Sequence, residues 1–309
     1  MSKIIVTGGA GFIGSTLVDK LIADGHEVRV IDDLSAGKRE YLNPQAVLYQ
    51  IDIQSEEVGA IFKKEQPEYV FHLAAQIDVR RSMENPVADN QINVRGAFNI
   101  LEQARLSGVK KFIFSSTGGA IYGEADEVPT GENFPPYPLS FYGIHKLTFE
   151  KYLHAYFKVY GLDYTVLRFA NVYGPRQYKG GEAGVIAIFT DNAVQGLESA
   201  QYGDGSQTRD YVYVDDVVRA LCLAKDCSYQ GEINIGTGVE SSLLDVRQAI
   251  EEAISEPLNI KVLPRKPGEQ MRSCLKIQLA KNILNWEPAV SLAEGILQTV
   301  KWSKEQIKK

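Results

Sequence analysis

The feature that most constrains this chain is the run Thr7-Gly8-Gly9-Ala10-Gly11-Phe12-Ile13-Gly14, which closes an apolar stretch from Lys3 and opens a helical pattern over about 12–24. A glycine at 8 permits a tight turn out of a strand. One at 11 lets a bulky anion approach the backbone, and one at 14 lets helix and strand pack closely. The helix begins with unpaired N–H groups and the positive end of its dipole, which together favour a phosphate. Three glycines alone also describe an ordinary strand-to-helix turn. The next apolar run separates the two readings, because it ends in Val30-Ile31-Asp32, about 20 residues on, where a carboxylate can accept from ribose hydroxyls. This combination implies a dinucleotide site, and Asp32 with Asp33 would repel a 2′-phosphate, so NAD is expected rather than NADP. Lys38 and Arg39 read as solvated surface rather than phosphate recognition.

Short apolar runs continue through the first half, at Glu27 to Asp32, Ala46 to Ile51, Tyr69 to Ala74, Lys110 to Ser115 and Asp163 to Phe169. Helical patterns at about 12–24, 55–65, 87–107 and 143–160 separate them. Such alternation predicts an α/β fold of the Rossmann type: a doubly wound parallel sheet covered on both faces. The last two helices are long and amphipathic, and they can build a homodimer face or be buried within one subunit. After about residue 170 the rhythm breaks at Gly174-Pro175, Gly180-Gly181, Gly203-Asp204-Gly205 and Pro264 to Gly268. We therefore expect an NAD-binding domain over 1–170, with a return to the sheet around 210–240, and a smaller C-terminal α/β substrate lobe over 171–309. Two more strand ends fall where an open sheet binds ligands, at Asp52-Ile53 and at His72-Leu73-Ala74-Ala75. Asp52 suits either an adenine contact or a cap on the next helix; His72 reads as a core residue.

The formal charge of −6 and pI near 5.4 give no basic excess for nucleic acid or anionic lipid. Three cysteines and four scattered histidines lack metal-ligand spacing, so a reduced, cytoplasmic chain with no structural metal is expected. No apolar run approaches the roughly 18 residues of a membrane span, and Met-Ser-Lys leads directly into Ile4-Ile5-Val6 without the pattern of a signal peptide.

The chemistry is suggested by Ser115-Ser116-Thr117 at a strand end and by Tyr142-Gly143-Ile144-His145-Lys146 on a helix. Tyr142 and Lys146 are four apart and share a face, which sets an ammonium beside a phenol. A tyrosine must lose about three units of pKa, roughly 4 kcal/mol, to serve as a base near pH 7. One adjacent cation supplies about one to three units, and an oxidised nicotinamide ring would add to it.

With these pieces in this order, the chain resembles the extended short-chain dehydrogenase/reductases, the NAD-dependent epimerase/dehydratase family, and within it the bacterial UDP-glucose 4-epimerase branch. The resemblance covers essentially the whole length. It rests further on Asn93-Val94-Arg95-Gly96, Phe112 to Gly123, Leu167 to Arg176, Gly203-Asp204-Gly205, Arg209-Asp210-Tyr211-Val212, Asn234 to Gly238 and Leu284-Asn285-Trp286-Glu287-Pro288. It implies that Gly8, Gly11, Phe12, Ile13, Asp32, Asp52, Ile53, Leu73, Ala74, Asn93 and Lys146 hold NAD. It also implies Thr117, Tyr142 and Lys146 as the catalytic set, Asn171 and Arg209 on a uridine diphosphate, and Tyr202 near the uracil.

Two places depart from the family pattern. An extra small residue in Ser115-Ser116-Thr117-Gly118-Gly119-Ala120 leaves either Ser116 or Thr117 to present the catalytic hydroxyl, with Thr117 preferred. The usual Arg-x-Gly-Asp becomes Lys266-Pro267-Gly268-Glu269, so Lys266, Arg265 or Arg272 supplies the second phosphate cation, and Glu269 joins Lys266 in the substrate-binding set. The position that limits the sugar pocket falls near Ser273, small enough to admit an N-acetylated hexose. The implied activity is UDP-hexose 4-epimerisation: Tyr142 takes the O4 proton, C4 is oxidised by bound NAD, and the 4-keto sugar is reduced on its other face. The rivals are a 4,6-dehydratase, which carries an Asp-Glu pair where this chain has Gly118-Gly119, a decarboxylase or epimerase acting on UDP-glucuronate, and a non-catalytic dinucleotide-binding module.

Overall fold

Neighbouring parallel strands need crossover connections, usually helices, and the first half of the chain supplies them. The computed structural model describes residues 1–177, 184–265 and 270–307. Its central sheet contains β1 (Lys3–Thr7), β2 (Glu27–Ile31), β3 (Val47–Tyr49), β4 (Tyr69–His72), β5 (Lys111–Thr117), β6 (Asp163–Phe169) and, at one edge, β11 (Glu232–Ile235). The order is β11-β6-β5-β4-β1-β2-β3, all parallel. The winding reverses between β1 and β4, so a crevice opens beyond their C-terminal ends, where Gly8 and Leu73 lie.

Alternation along β1 sends Ile4 and Val6 to one core and Ile5 to the other. The first core takes Leu17, Val18 and Leu21 of α1 (Phe12–Ala23) and Val217 and Leu221 of α9 (Val214–Asp226). The second takes Val58 and Phe62 of α2 (Glu57–Glu65), Ile100 and Leu101 of α5 (Ala97–Leu106), and Phe149 and Leu153 of α7 (Phe141–Tyr160).

The helix expected over 87–107 is divided in the structure. It comprises α4 (Pro86–Asn90), a π-helical turn Gln91–Gly96, and α5. Asn93 lies in that turn and clamps the Gln76 backbone, donating to its carbonyl at 2.8 Å and accepting its N–H at 2.9 Å. Gly96 brings the turn against Ile53, whose Cδ1 would lie 2.9 Å from a Cβ there. A π turn adds a residue to the helix and re-aims its side chains, a device frequent at functional sites. Before it comes α3 (Val79–Glu84), capped by Asp78.

Further elements complete the chain. They are α6 (Gly118–Ile121), the pair β7 (Asn171–Tyr173) with β10 (Tyr211–Tyr213), and α8 (Val185–Val194). Next come β8 (Ser199–Tyr202) with β13 (Ile260–Leu263), β9 (Thr208–Arg209) with β12 (Ser241–Ser242), α10 (Leu243–Ile254), α11 (Gln278–Leu284) and α12 (Leu292–Ile307). Trp286 is fully buried and donates Nε1–H to the Asp216 carbonyl, while the Asp216 carboxylate accepts from Ala289 and Val290 N–H. Among the described residues no helix is long and apolar enough to cross a membrane.

Candidate active site

The glycine turn sorts its three glycines by what each lacks room for. Gly8 has φ +69°, and a Cβ there would stand 2.7 Å from the Ala74 nitrogen; at Gly14 it would stand 2.0 Å from the Gly8 carbonyl oxygen. Chain packing alone requires both. At Gly11 the only described atom within 4 Å is that same carbonyl oxygen, at 3.3 Å. Its missing side chain leaves space in front of α1, whose first turn carries no acidic residue and no side-chain cap. The N–H groups of Phe12 and Ile13 belong to that uncapped end.

Asp32 is buried at the end of β2, accepting from Ala10 N–H at 2.9 Å and Leu34 N–H at 2.8 Å, and burial holds its carboxyl above the ordinary range. It ties the β2 loop to the glycine turn. Asp52 is exposed and accepts the Gln54 N–H at 2.8 Å, capping a turn rather than α2, whose own cap is Glu56. Ile53 is buried behind it. Leu73 and Ala74 leave β4 with their N–H groups on the Thr7 carbonyl (3.1 Å) and the Thr7 hydroxyl (3.3 Å). His72 is a core residue: its Nδ1 pairs with Thr7 Oγ1 at 2.7 Å, and burial, then Lys146, push it down to about 3, so the ring is neutral.

Three successive hydroxyls leave β5 in different directions. Ser115 Oγ donates to the His72 carbonyl at 3.1 Å and Ser116 Oγ to Glu150 Oε1 at 2.6 Å. Thr117 makes no side-chain hydrogen bond within the described residues. Its Oγ1 and Asn171 Oδ1 both border Gly119, at 4.0 and 3.7 Å from where a Cβ would stand. The Ser116 hydroxyl is thus committed to the scaffold, and the Thr117 hydroxyl is left uncommitted among the described residues.

Ser140 caps α7, accepting from Gly143 N–H at 3.1 Å, and sets Tyr142 and Lys146 in its first turns. Lys146 is buried; its Nζ donates to the Ser115 carbonyl at 2.9 Å and lies 5.9 Å from the centre of the Tyr142 ring. Burial pulls its ammonium down to about 8 against the opposing pull of Asp89 and Glu150. Tyr142 is pushed above its ordinary value by burial and then by Asp89. In the protein alone the phenol therefore stays protonated at neutral pH while Lys146 remains charged.

On the opposite side, the Asn171 N–H donates to the Asp210 carbonyl at 2.9 Å, which joins β7 to the Arg209 segment. The Arg209 guanidinium donates to the Thr208 carbonyl at 2.8 Å and forms no ion pair among the described residues. Tyr202 ends β8, half-buried. Of the three candidate phosphate cations, Arg272 is forked into Glu240 (2.9 and 2.5 Å), Arg265 lies 3.5 Å from Asp204, and Lys266 falls outside the described residues, as does Glu269.

Sequence reasoning missed three buried assemblies. Asp210 gathers the N–H groups of Thr237, Gly238 and Leu275. Glu150 takes Ser116 and both arms of Arg168, whose other nitrogen reaches Tyr122 Oη at 3.0 Å. Asp89 pairs with His145 at 2.5 Å and Gln76 at 2.6 Å. One signal was available: Arg168 interrupts the apolar run from Val166 to Phe169, and Glu150 falls one turn beyond Lys146.

Fold and site together define a dinucleotide-binding α/β protein with a threonine, tyrosine and lysine gathered at the sheet's C-terminal end. Residues 4–236 match the profile of the NAD-dependent epimerase/dehydratase family, and the chain belongs to that family. The UDP-glucose 4-epimerase of Mycolicibacterium smegmatis is 43% identical over 98% of this chain and 99% of its own. The Thermotoga maritima UDP-glucose 4-epimerase, solved with UDP-glucose, superposes with a TM-score of 0.95 at 49% identity, with 99% of each chain covered. The Thermus thermophilus UDP-glucose 4-epimerase, solved in complex with NAD, gives 0.93 at 42% identity over 98% of this chain and 99% of that one.

Proposed function

We propose that the chain is a UDP-hexose 4-epimerase that interconverts UDP-glucose and UDP-galactose with NAD retained in the site. The observation that carries this reading is the end of β5. Thr117 offers an uncommitted hydroxyl, and it is followed by Gly118 and Gly119, so the acid-base pair a dehydratase needs is missing at that point.

The space at Gly11 and the uncapped start of α1 suit a pyrophosphate, and Asp32 at the β2 end suits the adenosine ribose. Gly8, Phe12, Ile13, Asp52, Ile53, Leu73, Ala74, Asn93 and Lys146 complete the set that would hold NAD. Bound NAD supplies a reversible hydride acceptor and a positive ring charge, so that the sugar C4 is oxidised to a ketone and then reduced on its other face. Tyr142 takes the O4 proton and later returns it. Lys146, fixed by the Ser115 carbonyl, stabilises the phenolate, and Thr117 holds O4. Asn171 and Arg209 take the diphosphate, for which a guanidinium fork with no ion pair among the described residues is suited, and Tyr202 sits by the uracil. Lys266 and Glu269 are assigned to the sugar-phosphate side. Ser273 is small, which makes a UDP-N-acetylhexosamine pair a second substrate.

Within this reading, 1–170 with the strand at β11 serves NAD, and 171–309 mainly the substrate. We place the enzyme in the cytoplasm, in galactose metabolism, as a homodimer. Support for the dimer comes from α5 and α7, which leave Phe98, Leu106, Tyr152 and Val159 exposed together with Tyr160. The test is incubation with UDP-glucose, UDP-N-acetylglucosamine and UDP-glucuronate without added NAD, followed by NMR at sugar C4. A C4 epimer of one of the first two is expected, and Tyr142→Phe abolishes it; a 6-deoxy-4-keto product, or loss of the glucuronate carboxylate, would replace this reading.

A further inference from the structure

A second buried polar pair joins the catalytic helix α7 to α4. His145, between Tyr142 and Lys146, sets its Nδ1 2.5 Å from Asp89 Oδ2. Asp89 is 1% exposed and His145 8%. The other Asp89 oxygen accepts the Gln76 amide, at 2.6 Å, and no other donor among the described residues, and Gln76 is in turn clamped by Asn93. A carboxylate this deep costs several kcal/mol unless a cation meets it.

The surrounding elements leave few candidates for that cation. β6 contributes Arg168, already forked into Glu150 of α7, and β4 contributes the neutral His72. α5 offers Glu102 and Arg105, which pair with one another farther along α7. Arg80, Arg81 and Glu84 around α3 and Arg95 of the π turn are exposed. β5 and α6 present no charge here except the buried Lys111 at the opposite end of its strand, beside Asp163. Lys146 influences Asp89 through space but directs its Nζ at the Ser115 carbonyl. Among the described residues His145 is the one ionisable side chain hydrogen-bonded to the carboxylate, beside the uncharged Gln76 amide.

Through that contact Asp89 is held against α7 between Tyr142 and Lys146, and its charge opposes ionisation of Tyr142 and favours the charged form of Lys146. We propose that His145 is an imidazolium that cancels the Asp89 charge beside Tyr142, and so is a positioning residue for the proton transfer. This rests on the reading of Tyr142 as the base. The pair works as a counter-charge: with His145 protonated the phenolate forms next to a neutral ion pair, and without that proton it forms next to an uncompensated carboxylate.

The experiment is a tyrosinate absorbance titration of the NAD-loaded protein, with Tyr142→Phe as reference, so that the readout does not need turnover. His145→Gln keeps a donor for Asp89 but removes the charge. The Tyr142 titration then moves up by about one pH unit, a tenfold loss of phenolate below it, and the acid limb of kcat follows. Adding Asp89→Asn to His145→Gln brings it back. An unmoved titration in His145→Gln overturns the proposal even where kcat falls, because lost packing alone would lower kcat without shifting the profile. Nitrogen NMR of the wild-type ring guards against variants that do not fold: a doubly protonated His145 at pH 7 supports the proposal and a neutral one overturns it. Failure of the epimerase reading shows separately, as no C4 interconversion by the wild type.

Discussion

Ser116 and Thr117 are neighbours on β5 with opposite commitments, and that contrast makes a sharp prediction. Ser116→Ala removes a donor from the buried Glu150 and costs about 1–2 kcal/mol of stability, with kcat little changed. Thr117→Ala leaves the fold intact and lowers kcat about a hundredfold. Thermal melts and initial rates on the two variants separate them. A second residue, His72, sets an acid limit. Its folded value near 3 lies below its unfolded value of about 6.5, so the unfolded chain binds the extra proton between those pH values. Stability present above about 6.5 is therefore lost as pH falls through this window, by about 1.4 kcal/mol per unit from this group. Urea unfolding at pH 7 and pH 5 should show the drop, and His72→Asn should flatten it.

At the scale of elements, the glycine turn divides into packing and ligand roles. Gly14→Ala forces α1 off β1, because its Cβ would overlap the Gly8 carbonyl, and should cost about 3 kcal/mol. Stripped of NAD, Gly11→Ala should melt like the wild type, and as purified it should release less NAD on denaturation, since beyond its chain neighbours its Cβ meets one described atom at 3.3 Å. Equal losses of stability in both would count against a ligand role for Gly11. This turn, the strand alternation and the Tyr142–Lys146 face are legible in the sequence because they are local: spacing alone determines which side chains share a face. The π turn is not, because local spacing does not carry it. What inserts the extra residue is the clamp of Asn93 on Gln76 and the seat of Gly96 on Ile53, both contacts distant in sequence. The Asp89–His145 pair is hidden for the same reason, its partners standing 56 residues apart.

At the scale of the whole molecule, the apolar surface on α5 and α7 and the chemistry at the sheet end are separable. Phe98 and Tyr152 stack edge to face at 5.5 Å on that surface. Introducing glutamate at both should convert a dimer to a monomer in light scattering without changing the catalytic residues; an unchanged mass would place any dimer contact elsewhere. The central claim is oxidation and reduction of one carbon within one closed site. The most direct measurement supplies UDP-glucose deuterated at C4, without added NAD, and follows the label by NMR. The account predicts UDP-galactose with deuterium kept at C4. Loss of the label to water, or a product altered at C5 and C6 instead, would contradict it.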